Sequence, residues 1–284
     1  MIFRVPEELD GITVKQFLRK HCGVSARTLA KLKHNEKGMT VGGKQVRSID
    51  TLNGGAEITL CFPEDNIHIE AVPMEVEVAY EDSHVIIYNK PSGMPVHPVH
   101  EYKTNTLANF AAYYMKKMGE SYAFRPVSRL DKDTSGLVLC AKDRYSADQL
   151  SGNNTKLYSA LCEGVVTGSG TIDKPIRIKE GHSIQRETGD GGQYAVTHYR
   201  SVKHYGENYT LLEIWLETGR THQIRVHFSS IGHPLAGDDM YGGSKEFFPR
   251  QCLHCKQVRF VHPETRKEIT VIRETDFFEE MIKM

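Results

Sequence analysis

Apolar positions change period several times along the chain. Val14, Phe17 and Leu18 share one face of a predicted helix. Ser25 is a good N-cap for a second helix over 25–33, where Leu29 and Leu32 lie three apart. The run from Met39 to Val46 reads as a hairpin around Gly42-Gly43, and 56–62 as a further strand. A polar, proline-punctuated stretch follows, and two apolar alternations from Val76 to Lys90 predict another hairpin, split by Glu81-Asp82-Ser83. Pro91 to Pro98 reads as a stiff loop, Thr106 to Met118 as a helix, Leu137 to Ala141 as a buried strand, and Thr221 to Ile231 as a helix closed by Gly232. This pattern predicts an α+β protein with a mixed or antiparallel sheet. It divides into a small module over 1–65, a linker over 66–75 and a body over 76–284.

Charge sharpens the division. The 284 residues carry no formal net charge, yet between Gly11 and Arg47 nine Lys or Arg face one acid, Glu36. That segment is +8 and the remainder therefore −8. Arg27, Lys31 and Lys33 fall away from the leucines of their helix, as a phosphate-binding face requires. A solvated amphipathic helix pair fits the same pattern. With 39% hydrophobic residues the chain is expected to fold around a sizeable core. The start lacks the basic and apolar run of a signal peptide, and no segment approaches the ~20 apolar residues of a membrane span. The six cysteines are scattered, and several lie in apolar runs. A cytoplasmic protein with reduced thiols is expected, with no membrane association and as a monomer. Cys252 and Cys255 have C-x-x-C spacing, but no second pair completes a zinc set, so no metal is expected.

Three stretches carry candidate chemistry. The first, Arg129-Leu-Asp-Lys-Asp-Thr-Ser-Gly136, sets charges directly against the apolar strand that follows. Charge is costly to bury unless paired. Asp133 reads as a turn residue, whereas Asp131 is less easily assigned to a turn. The second, Thr218 to His227, gathers Arg220, His222, Arg225 and His227 at a predicted helix start, where amide donors already favour anions. Arg225 is placed to keep a buried carboxylate ionised, and Asp131 is a plausible partner. In the third, Lys156 to Gly164, alternation puts Tyr158, Ala160 and Cys162 on one strand face. Tyr158 there fits core packing as well as it fits stacking on a flat ligand.

Taken in order, these stretches resemble the RluA/RluD-type pseudouridine synthases. The resemblance rests on Asn89 to Pro98, Arg129-Leu-Asp131 through Ser135-Gly-Leu137, Lys156 to Ala160, Gly219 to His227, His233 to Gly242, Leu253-His254 and His262-Pro263. Residues 10–62 resemble the small ribosomal-protein S-four-like RNA-binding domain, a common companion in that family. The resemblance implies a pseudouridine synthase fold for 76–284 and isomerisation of a uridine within structured RNA. Ribosomal RNA is the first expectation and transfer RNA the alternative. It implies Asp131 as the catalytic aspartate, Tyr158 as the stacking residue and proton acceptor at carbon-5, and Arg225 as the ionic partner of Asp131. Arg129, Arg220 and His222 are expected on the RNA side, together with Arg27, Lys31 and Lys33 of the module. No cofactor is expected. Many relatives have His before the Arg-Leu-Asp triplet, where this chain has Ser128. A non-catalytic RNA binder would leave Asp131, Tyr158 and Arg225 without use. A base-removing glycosidase would need a second, water-activating carboxylate, for which Asp133 is the near candidate.

Overall fold

The computed structural model describes residues 1–62, 69–99 and 101–283. The N-terminal module contains β1 (Ile2–Arg4), β2 (Ile12–Thr13), α1 (Val14–Gln16), α2 (Ala26–Lys33), β3 (Met39–Val41), β4 (Lys44–Gln45), β5 (Thr51–Leu52) and β6 (Glu57–Leu60). A π-helical turn over Phe17–His21 continues α1. The Ser25 side chain accepts from the Thr28 N–H and caps α2, as its sequence position predicts. Val14, Phe17, Leu18, Leu29, Leu32, Ile58 and Leu60 form the module's own core.

The body runs β7 (Glu77–Glu81), β8 (Val85–Lys90), α3 (Leu107–Met118), β9 (Arg125–Pro126), β10 (Ser135–Ala141), α4 (Arg144–Leu150) and β11 (Asn154–Glu163). It continues with β12 (Ser169–Asp173), β13 (Ile176–Ile178), β14 (Arg186–Thr188), β15 (Val196–Tyr205), β16 (Tyr209–Leu216) and α5 (Gln223–Ser230). It closes with β17 (Leu253–Val261), β18 (Glu268–Ile272) and α6 (Phe277–Lys283). Its main sheet has the order β12-β15-β16-β11-β17-β10-β8-β7, with β18 beside β17 and β9 beside β10. Pairing is antiparallel except between β10 and β17, which run parallel. The predicted mixed sheet of an α+β fold is therefore present.

The register places one row of residues across the four central strands. Tyr158 of β11 pairs with Cys255 of β17, Cys255 with Gly136 of β10, and Gly136 with Lys90 of β8. Paired residues face the same side of a sheet. Tyr158, Cys255 and Lys90 thus share a face, and Gly136 leaves a gap among them. Only glycine fits there: its φ is +111°, and a Cβ would lie 2.3 Å from the Cys255 carbonyl oxygen.

One expectation needs correction. The helix predicted over Thr221 to Ile231 begins at Gln223, because His222 adopts a left-handed conformation, φ 57°. The Gln223 side chain stabilises this entry. Its Oε1 accepts from the Arg220 N–H at 3.0 Å and the Thr218 hydroxyl at 2.8 Å, and its Nε2 donates to the Val196 carbonyl at 2.9 Å. The expected linker, 66–75, lies partly outside the described residues. Its described part is fastened to the body: Asn109 of α3 donates to the Glu70 carbonyl at 2.9 Å and accepts, through its own carbonyl, from the Val72 N–H at 3.2 Å. Ile69 and Met74 pack on the body core.

Candidate active site

Asp131 lies in the loop entering β10, where the Thr134 N–H donates to the Asp131 carbonyl and closes a turn over Lys132-Asp133. Its carboxylate receives Nη1 of Arg225, from α5, at 3.2 Å. The structure thus brings together the two residues that the sequence offered as a pair. Arg225 is itself buried, and its other edge is fully engaged. Nε and Nη2 each donate at 2.7 Å to the two oxygens of Asp238. The Asp238 side chain has no exposed surface. Burial works against the charge of Arg225, but Asp238 and then Asp131 outweigh it and raise its pKa further. The guanidinium is a fixed cation shared between a buried and a partly open carboxylate. Asp238 owes its position to Gly237, φ +77°, where a Cβ would lie 1.9 Å from the Arg250 carbonyl oxygen.

Tyr241 extends the array. Its ring lies under Arg225, 4.9 Å from guanidinium carbon to ring centre. Its hydroxyl accepts from the Arg186 backbone N–H at 3.0 Å and lies 2.8 Å from Nδ1 of His222. Burial lowers the pKa of His222 against the opposing pull of Asp131. In the neutral ring Nδ1 accepts from the tyrosine, which leaves the Nε2 proton facing Asp131 at 4.0 Å.

Tyr158 closes the other side. It is buried, and its pKa is driven well above the ordinary value by burial, by Cys255 and by the Asp131 charge. The phenol is therefore neutral and within electrostatic reach of Cys255 and Asp131. Cys252 and Cys255 are both buried free thiols. Lys156 donates to the hydroxyl of Ser128.

Lys90 is the residue that charge patterning gave least reason to expect here. It is 1% exposed, and its ammonium donates to the carbonyls of Pro91 at 2.9 Å, Met94 at 2.8 Å and Lys132 at 3.0 Å. It thus ties the loop after β8 to the peptide that follows Asp131. Burial lowers its pKa to about 7, despite the opposing charges of Asp133 and Asp131. The folded pKa lies below the unfolded one. Between about pH 7 and pH 10 the unfolded chain therefore binds the extra proton, and this residue's contribution to stability rises with pH. Unfolding in urea should show the difference between wild type and Lys90→Met moving toward the wild type from pH 7 to pH 9. The slope has a limit of about 1.4 kcal/mol per pH unit. A constant or shrinking difference would remove Lys90 from this role.

The remaining candidates stand outside the Asp131–Arg225 contact. Arg129 is exposed, and its charge acts on His97. Arg220 is exposed and donates through Nε to the Tyr194 carbonyl at 2.9 Å. Arg27 and Lys33 are exposed on α2, with Lys31 partly so. Asp133 forms an ion pair with Lys132 at 3.9 Å, and its carbonyl accepts from Ser92. Sequence reasoning passed over Asp238, Tyr241 and Lys90 as individual residues. All three lie within the motif stretches, but their partners are distant in the chain. Among the described residues no helix is long and apolar enough to cross a membrane.

Comparison with known proteins places the chain in a family. The RNA pseudouridylate synthase family profile matches residues 84–230. An uncharacterized RNA pseudouridine synthase of Bacillus subtilis, YjbO, is 35% identical over 91% of this chain and 93% of its own. A second from that organism, YhcT, is 44% identical over 67% of this chain and 66% of its own. Ribosomal large subunit pseudouridine synthase D of Pseudomonas aeruginosa is 34% identical over 92% and 88%. In fold, the chain resembles human RNA pseudouridylate synthase domain containing 1, with a TM-score of 0.61 at 24% identity over 73% of this chain and 86% of that one. The chain belongs to the RNA pseudouridine synthase family and is an isomerase of uridine in RNA.

Proposed function

We propose that this protein converts a uridine of large-subunit ribosomal RNA to pseudouridine, with Asp131 as the catalytic carboxylate. The observation that carries the site assignment is the Asp131–Arg225–Asp238 array, at 3.2 and 2.7 Å, beside buried Tyr158. Arg225 sets a fixed cation against the Asp131 carboxylate, and an ionised carboxylate acts as nucleophile or base. The reaction breaks the bond from ribose C1′ to uracil N1, turns the base, and forms a bond from C1′ to C5. The C5 proton departs and N1 ends protonated, so nothing is oxidised. A base must leave its stack to react, and the Tyr158 ring offers a replacement surface. Ribosomal RNA is favoured because relatives named for the large subunit align over most of the chain. We assign 1–65 to an S-four-like RNA-binding domain, 66–75 to a linker and 76–284 to the catalytic domain. Arg129, Arg220 and His222 face the RNA in this reading. Pseudouridine mapping of total RNA from cells with and without the protein tests the substrate. Loss of signal at one or a few large-subunit uridines is expected. Loss confined to transfer RNA would overturn the ribosomal assignment.

The neutral state of Tyr158 constrains its second role. For its hydroxyl to accept the C5 proton near pH 7, its own proton must leave in the same step. Asp131, whose charge reaches this tyrosine, is the group suited to receive it as a free carboxylate. Tyr158→Phe keeps the ring and removes the hydroxyl. RNA affinity should change little, while product formation should fall by ~100-fold or more. Turnover near the wild-type rate would leave stacking as the residue's sole role.

A further inference from the structure

The His262-Pro263 motif takes no part in the chemistry above, and the turn it opens leads to the module. The turn joins β17 to β18 and is built around the buried His262 ring. Nδ1 accepts from the Glu264 and Thr265 N–H groups at 3.2 and 3.0 Å. Nε2 therefore carries the ring proton and donates to Asp82 at 3.0 Å. The Arg266 N–H donates back to the His262 carbonyl at 3.0 Å, and Arg266 takes a left-handed conformation, φ 58°. That conformation is unfavourable for a residue with a Cβ, so it is the turn that imposes it. The turn thereby sets the direction of the Arg266 side chain.

Nη1 of Arg266 donates to Oε1 of Gln149, on α4, at 2.6 Å, and Nη2 donates to the Tyr145 hydroxyl at 3.1 Å. Both recipients are body residues engaged with the module. Arginine only donates, so the amide oxygen of Gln149 must face it and the nitrogen must face the module. Nε2 donates there to the carbonyls of Gly23 at 2.9 Å and Cys22 at 3.3 Å. Gly23 suits this close approach: its φ is +70°, and a Cβ would lie 2.4 Å from Nε2. The Tyr145 ring is buried in the module's core, edge-on to Phe3 at 5.3 Å. Asp148 accepts from the Ser25 N–H at 2.8 Å. Gly23 and Ser25 precede α2, so these contacts fix the start of that helix.

We propose that Arg266 and Gln149 dock the module onto the body and hold α2 at one fixed offset from Asp131, so that the protein selects a uridine by its place in a folded RNA. The inference rests on RNA as the substrate and on exposed Arg27 and Lys33 of α2 meeting its backbone. A covalent connection sets only the largest distance between two RNA contacts, whereas the dock also sets their direction. Two contacts at a fixed spacing reinforce one another only on an RNA that matches it. Arg266 and Gln149 are positioning residues that act through α2.

The test uses the full chain, labelled at two thiols. Cys61 of the module is exposed and the other cysteines are buried. Lys117→Cys adds an exposed thiol on α3. Spin labels at both positions should give a single narrow distance. Arg266→Ala and Gln149→Ala should each broaden it. Arg266→Lys lacks the fork that reaches both acceptors and should fall between. On a large-subunit ribosomal RNA transcript, KM should rise about tenfold in both alanine variants, with kcat within about twofold of wild type. On a short stem that carries the mapped uridine and is too small to meet α2, wild type and variants should share one kcat/KM. A broad distance in the wild type, or a narrow one kept by both alanine variants, would overturn the dock. Broadening without a rise in KM on the transcript would overturn its role in selection. An equal loss on the short stem would make both residues supports of the body's fold and overturn the proposal. Wild type inactive on both RNAs is a failure of the substrate reading, and the distances still decide the dock.

Discussion

Asp131→Asn should reduce pseudouridine formation by ~10³-fold or more while leaving RNA binding nearly intact. Asparagine keeps the size and the hydrogen-bonding oxygen, so the turn closed by the Asp131 carbonyl and Thr134 N–H survives. The negative charge does not survive, and with it goes the nucleophile or base. Arg225 keeps its two bonds to Asp238 and so remains held. This separation makes the variant informative: the site stays assembled and only one reactive group is lost. Single-turnover rates and a filter-binding isotherm check it together. Substantial turnover would exclude Asp131 from the chemistry. Asp133→Asn is the control. Its exposed ion pair with Lys132 is worth little, and activity should persist.

The second large effect belongs to Asp238, a residue that need not touch the substrate. Removing its charge leaves Arg225 buried with one partner instead of two. Breaking a buried ion pair costs about 3–5 kcal/mol, because the remaining charge is uncompensated. Asp238→Ala should therefore unfold at much lower denaturant concentration. Asp238→Asn retains the shape and the carbonyl acceptor and should fold. Its guanidinium is then free to turn toward Asp131, so the carboxylate loses its fixed geometry. A displacement of about 1 Å near the chemistry costs ~100-fold. The expected signature is a fall in kcat with KM little changed. Arg225→Lys should behave similarly, since one ammonium cannot serve both carboxylates in the fork geometry. Wild-type kcat in a folded Asp238→Asn protein would show that Asp238 supports the fold alone.

The sequence was most informative where local signals act over a few residues. Ser25 caps its helix as its position indicates, and Gly42-Gly43 forms the turn between β3 and β4. The His222 conformation was not legible, because a left-handed residue other than glycine depends on Gln223 meeting Val196 and Thr197 from another strand. The ends of the motifs were visible, and so was the Asp131–Arg225 pairing as a possibility. Asp238 and Lys90 were hidden for a different reason. A buried charge is tolerated only through partners brought by the fold, and spacing along the chain does not reveal them. The docking of the module was likewise invisible. Tyr145 lies in an ordinary helical segment, and nothing local indicates that it completes a core formed 80 or more residues earlier.

The central claim is that this protein moves the glycosidic bond of a uridine from N1 to C5 without releasing the base. The most direct measurement incubates the purified protein with large-subunit ribosomal RNA labelled with tritium at uracil C5. Tritium should appear in water, in amounts matching the pseudouridine formed, while the RNA keeps every base. Free labelled uracil would identify a glycosidase instead, and full retention of tritium at C5 under conditions where the RNA is bound would contradict the account.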